Sequence, residues 1–166
     1  MSATLAMPSA LLRPQAPPWV AVLIACTAAF MLVLDGSIVN VSLPAIQADL
    51  HLSTATLGRV VAPYLLVLGG CMLLAARAGD LWRRRRILQA GLLVFTLASL
   101  AGGMATSGPW LLLARAVQGL GASALSTSTL TIIMAVFPAG PERGRAISWW
   151  ATSTSIASAG GVLLGG

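Results

Sequence analysis

A guanidinium embedded in apolar sequence needs a partner. Arg115 sits in LLLARAVQGLGAS, residues 111–123, inside an apolar run from Trp110 to Phe137. Placing a cation in hydrocarbon costs about 2.5–3.5 kcal/mol on insertion scales. Gln118, Ala122, Ser126 and Thr129 follow it at helical spacing, so a stripe of small and polar residues shares its face. The candidate partner is Asp35, in the first apolar run, WVAVLIACTAAFMLVLDGSIVNVSLP. Arg115 lies roughly 7–8 Å inside its span and Asp35 roughly 12–14 Å inside the same end of its own, counted at the helical rise. An Asp35–Arg115 contact would offset much of both desolvation costs. The competing readings are a snorkelling Arg115 whose stem reaches the headgroups, and an Asp35 that reaches interfacial water. The chemistry open to such a pair is electrostatic: a carboxylate whose hold on a proton is set by the neighbouring cation.

The elements that must position these residues are apolar helices. Charged residues make up 8% of the 166 residues, against roughly 25% in soluble domains. Apolar residues make up 57%, and mean hydropathy is +0.89. So little charge cannot cover the surface of a soluble fold, and the apolar residues come in long runs. The fold class expected is all-α integral membrane. A net charge of +6 and a pI near 11.4 would suggest nucleic acid in a soluble protein. Here all the basic residues are arginines lying mostly between apolar runs, so the charge reads as topological and no nucleic-acid partner is expected.

Residues 1–18 carry Pro8, Pro14, Pro17 and Pro18 and read as a flexible cytoplasmic tail. Five spans follow, at about 19–44, 57–78, 87–105, 110–137 and 146–166, and together they fill residues 19–166. Short polar or Pro/Gly-marked segments connect them, which suits antiparallel neighbours. Leu23–Cys26 resembles a lipoprotein cleavage box, but the apolar stretch before it is short and the first span is too long for a signal peptide. Arg13, Arg83, Arg84, Arg85, Arg86, Arg143 and Arg145 fall on one set of connections, with Arg77 at its edge, and only Arg59 on the other. The positive-inside rule places the N-terminus in the cytoplasm of a multi-pass plasma (inner) membrane protein.

The remaining residues divide by role. Gly161 and Gly165 form a GxxxG pair, Gly119 and Ser123 a small-xxx-small pair, and Gly119, Gly121, Gly161, Gly165 and Gly166 are assigned to helix packing. Gly69 and Gly70 would pack or flex. Asp80 with Arg84 and Arg85 forms a charged loop, and Glu142, Arg143 and Arg145 are topological. Tyr64 and His51 stand alone, with interfacial or core roles. Cys26 and Cys71 are small core residues. There is no phosphate loop, zinc spacing or nucleophile–base pair, so no enzyme is expected.

Four motifs now carry a resemblance. Leu34–Pro44, LDGSIVNVSLP, resembles the first-span motif LDxTIVNVALP of the fourteen-span drug:proton antiporter branch of the major facilitator superfamily. Residues 76–86, ARAGDLWRRRR, stand where that family carries GxxxDxxGRR, with Ala76, Leu81 and Arg83 departing from it. Arg115–Ala122 matches RxxQGxGA, and residues 161–166 stand where the antiporter motif ends GPxxGG, with Val162 for Pro. Arg59 stands where the branch often has Trp. A Gly at position 83 would permit a positive φ, so Arg83 is expected to hold a strained turn.

The resemblance implies five helices of the N-terminal six-helix half of a major facilitator fold. It implies a proton/substrate pathway with Asp35 as proton or cation site, Arg115 as its electrostatic regulator and Gln118 beside them. It implies a gating loop at Asp80, Arg84 and Arg85, and efflux of small hydrophobic or cationic compounds. The proton gradient drives that efflux, with membrane lipid around the protein and no cofactor. The chain reads as an N-terminal fragment missing its C-terminal spans, which five spans alone cannot replace. The alternative is a truncated, non-transporting membrane scaffold whose GxxxG faces assemble with other chains.

Overall fold

The computed structural model describes residues 17–49 and 54–165, with side chains placed except at 54–57. Five helices follow in order: α1 Pro18–Asp49, α2 Thr54–Leu81, α3 Arg84–Gly103, α4 Gly108–Val136 and α5 Pro141–Gly165. No strand occurs among the described residues. Among the described residues, four helices are long and apolar enough to cross a membrane: Pro18–Asp49, Gly58–Leu81, Arg84–Gly103 and Gly108–Val136. The fifth is as regular but carries Ser148, Thr152, Ser153, Thr154, Ser155 and Ser158, which lower its hydropathy. Several of these hydroxyls bond back to carbonyls one turn earlier, as Ser148 does to Gly144. Residues 1–16 of the expected tail, His51 and Gly166 lie outside the described residues, and Pro18, the last residue given to that tail, opens α1.

Helix α1 runs five residues beyond the apolar run that ends at Pro44. A proline inside a helix removes one N–H and crowds the carbonyl of residue i−4, here Asn40. In a bundle, neighbouring groups absorb that loss. Helix α4 ends because Phe137 is extended (φ −106°, ψ 127°) ahead of Pro138. Its last carbonyls find a side chain: Arg143 donates through Nε and Nη2 to Phe137 O (2.9 and 2.6 Å) and through Nη2 to Met134 O (3.2 Å). Arg143 therefore also caps a helix, which its topological reading did not include. At the other end of α4, Trp110 Nε1 donates to Ala101 O at 2.9 Å and ties α4 to α3.

The strain expected at Arg83 is absent. Its φ is −44° and ψ 122°, ordinary extended backbone between α2 and α3. The turn is made by breaking the helix, not by a left-handed residue, so any side chain fits.

Helix α4 is the centre of the bundle, with buried residues recurring from Gly108 to Ile133. Its glycines show why. A Cβ on Gly119 would meet Tyr64 O of α2 at 2.6 Å, and one on Gly121 would meet Phe95 N of α3 at 2.6 Å and Gly91 O at 2.8 Å. Two residues apart is about 200° around a helix, so the two glycines admit different neighbours on opposite sides. Gly161 and Gly165 do the same for α1, where an added Cβ would strike Ser37 and Leu34 O, or Ile38. The GxxxG pair is thus occupied within the chain, which removes the argument that it serves assembly with others. Gly69 and Gly70 correct another expectation: a Cβ on either meets nothing within 4 Å among the described residues.

Candidate functional site

Three helices bring the site together. Helix α1 carries Asp35 near its middle, α4 carries Arg115 and Gln118 in its second and third turns, and α3 lies against α4 through Gly91 and Gly121. Arg115 Nη1 donates to Asp35 Oδ2 at 2.9 Å and to Gln118 Oε1 at 2.6 Å. Gln118 Nε2 donates to Asp35 Oδ1 at 2.7 Å and to Ser99 Oγ of α3 at 2.6 Å. The result is a closed triangle with each carboxylate oxygen engaged by a different donor.

Burial within the triangle is uneven. Arg115 is 4% exposed and Gln118 is buried, while the Asp35 side chain keeps 20% exposure. Asp35 faces a cavity of about 370 Å³ lined by α1, α2, α3 and α4. Ile38, Ser42, Ile46 and Asp49 line the same space from the following turns of α1. Arg115 and Gln118 also border this space, but the carboxylate is the more exposed member of the pair and the guanidinium the more enclosed.

The guanidinium has one further neighbour. Its carbon lies 4.7 Å from the centre of the Tyr64 ring, on α2. Arg115 Nε is buried without a hydrogen-bond acceptor among the described residues. The ring face supplies negative potential where no lone pair does.

The polar stripe on α4 is buried in large part, with Ala122 and Thr129 fully enclosed. Asp80 and Arg84 form an exposed ion pair at 3.0 Å, four residues apart across the α2–α3 junction. Beside it lies a cavity of about 200 Å³ lined by Thr127, Ser128 and Thr131 of α4. Arg85 is exposed and joins neither group. Ser99 and Tyr64 were missed in the sequence. Tyr64 was legible in one respect: it lies ten residues into α2 as Gln118 lies ten into α4, counted from the same end of the bundle. No group of three or more His, Cys, Asp or Glu residues able to hold a metal ion occurs among the described residues.

Comparison with known proteins follows the same lines. Residues 25–166 match the family model described as Major Facilitator Superfamily. The chain is 42% identical to the cephamycin export protein CmcT of Amycolatopsis lactamdurans over 146 residues, covering 88% of this chain and 30% of that protein. It is 39% identical to the puromycin resistance protein pur8 of Streptomyces alboniger, covering 92% of this chain and 30% of that protein. It is 43% identical to the multidrug resistance protein Stp of Mycobacterium tuberculosis, covering 82% and 26%. Among solved structures, a bacterial homologue of the human lysosomal transporter Spinster, inward-facing and unoccupied, superimposes with a TM-score of 0.79 at 21% identity. That match covers 92% of this chain and 32% of the other. The chain thus spans about 30% of the length of the curated relatives it matches.

Proposed function

The chain belongs to the Major Facilitator Superfamily, and on that premise we propose that it supplies the proton-handling helices of a secondary transporter that exports small hydrophobic or cationic compounds against protons. The observation that carries the proposal is the Asp35–Arg115–Gln118 triangle at the edge of a cavity. An ionised Asp35 balances Arg115. A proton or a cationic compound arriving through the cavity competes with Arg115 for the same carboxylate, and occupation by one disfavours the other. That competition is the elementary step of exchange.

The first-span and fourth-span motifs support placement in the fourteen-span drug:proton antiporter branch. The printed names of the relatives, export of cephamycin and resistance to puromycin and to multiple drugs, support efflux. In this reading the N-terminus and the arginine-rich end face the cytoplasm of the inner membrane. Asp80, Arg84 and Arg85 form a gating loop there, lipid surrounds the bundle, and the proton gradient replaces any cofactor.

Transport in this family takes place between two helical halves. The first step of the test is therefore to size the natural product by immunoblot with an antibody to the N-terminal residues, against the 17.0 kDa of this chain. The product found is then reconstituted in proteoliposomes with tetraphenylphosphonium as probe and an imposed pH gradient. Wild type is expected to move the probe against protons, and Asp35→Asn to lose proton coupling while still binding the probe. Full coupling in Asp35→Asn overturns the proposal.

A further inference from the structure

Tyr64 takes no part in the exchange step, yet among the described residues it is the one ring that lies against its cation. We infer that Tyr64 is a positioning residue that holds Arg115 in place during the part of the cycle in which Asp35 is neutral. The inference rests on the reading of Asp35 as the exchange site.

The one charged partner of Arg115 among the described residues is Asp35, reached through a single Nη1–Oδ2 contact. When a proton or a cationic compound neutralises that carboxylate, the guanidinium remains buried with its full charge. Two contacts survive: Gln118 Oε1 at 2.6 Å and the Tyr64 ring at 4.7 Å. The first is a neutral dipole already shared with the carboxylate through the same amide. The second survives in either state of Asp35, because the ring's negative face comes from its electron distribution and not from a titrating group.

Geometry keeps the ring there. Tyr64 is 9% exposed and packs in the cluster of Ala28, Leu88, Phe95, Ala122 and Leu125. Its own carbonyl lies against Gly119, one turn beyond Arg115 on α4. Helices α2 and α4 are therefore in close backbone contact at this point, and the ring is held between them and the core. Among the described residues, the other elements around the pair offer no substitute. Helix α3 presents Ser99, α5 presents Gly161, and Asp49 of α1 lies about 21 Å along its helix from Asp35. Tyr64 is thus placed to keep the cation in the site after its counter-charge is gone, so that Arg115 is still there to expel the proton or the compound in the next step.

The test uses a readout independent of transport. In micelles, the denaturation midpoint in dodecyl sulfate is measured for Tyr64→Phe and Tyr64→Leu, each with Asp35 and with Asp35→Asn, which mimics the neutral state. Tyr64→Phe is expected to behave as wild type in both. Tyr64→Leu is expected to lower the midpoint roughly twice as much with Asp35→Asn as with Asp35, because a cation–π contact gains strength when the cation has no other counter-charge. A graded series of fluorinated phenylalanines at position 64 weakens the ring face without changing its shape. Its effect is expected to be stepwise and steeper in the neutral background. If Asp35→Asn does not fold, Asp35→Ser provides that background. Equal losses in both backgrounds, or no response to fluorination, overturn the inference. Loss of probe transport with this coupling intact would instead count against the exchange reading alone.

Discussion

Arg115 and Asp35, 80 residues apart in sequence, meet through one nitrogen and one oxygen at 2.9 Å and not as a two-pronged fork. The second carboxylate oxygen belongs to Gln118. A fork would lock the pair with two parallel bonds. A single contact keeps the charges balanced while leaving the carboxylate accessible from the cavity side. The arrangement suits a pair that must separate and re-form.

The pair should therefore be strongly coupled but not symmetric. Removing Asp35 leaves a buried cation, whereas removing Arg115 leaves a carboxylate that water can reach. Breaking a buried pair from one side costs about 3–5 kcal/mol, and Asp35→Ala should fall nearer the upper end and Arg115→Ala nearer the lower. The double variant should cost less than the sum by at least about 1 kcal/mol. Denaturant titration of the four proteins in micelles measures the cycle, and strict additivity would contradict the contact.

Glycines separate by what stands beside them. Gly121→Ala puts a methyl against the backbone of Phe95 and Gly91 at 2.6–2.8 Å, and backbone cannot step aside as a side chain can. Overpacking of this kind costs about 1–3 kcal/mol or more. Gly69→Ala enters open space in mid-helix, so it should be neutral or stabilise by up to about 1 kcal/mol. Comparing the unfolding midpoints of the two variants checks the packing directly. Equal effects would mean that α3 does not sit on Gly121.

The contact between Asp35 and Arg115 was legible in the sequence because both are charges inside apolar runs, and their depths can be counted from the same end. Gln118 followed from its place three residues along the same helix. The roles of Ser99 and Tyr64 were not legible, although the depth of Tyr64 could be counted. A lone hydroxyl and a lone ring in apolar helices have no periodic partner, and their meaning depends on which face of α4 each neighbour takes. Gly119 and Gly121 decide that, but the sequence marks both only as small. The GxxxG of Gly161 and Gly165 was recognised as a packing surface, while its partner, α1, could not be read from the motif.

Arg83 and Arg143 show the same limit at the arginine-rich end, and each gives a test. Arg83 sits in extended backbone, so restoring Gly there relieves nothing. Arg83→Gly should leave stability unchanged or lower it by up to about 1 kcal/mol through the entropy of the unfolded chain. Arg143→Ala frees the carbonyls of Met134 and Phe137 and should cost about 0.5–1.5 kcal/mol. A stabilised Arg83→Gly would restore the strained-turn reading.

Gln118 and Ser99 should differ although they share a hydrogen bond. The amide can sit only one way round. Arg115 offers donors alone and an ionised Asp35 accepts alone, so Oε1 must face the first and Nε2 the second. Ser99 either donates or accepts, and adapts to whatever Nε2 presents. Gln118→Leu thus removes a bond from each charged group at once. Water from the cavity replaces the loss at Asp35, which is partly exposed, but not at Arg115, which is enclosed. The cost should be about 1–3 kcal/mol. Ser99→Ala removes one of two acceptors for the same N–H₂ group, whose bond to Asp35 remains, and should cost about 1 kcal/mol or less. The order of the two midpoints decides the matter. A Ser99→Ala loss as large as that of Gln118→Leu would mean that the hydroxyl, and not the amide, holds the triangle together.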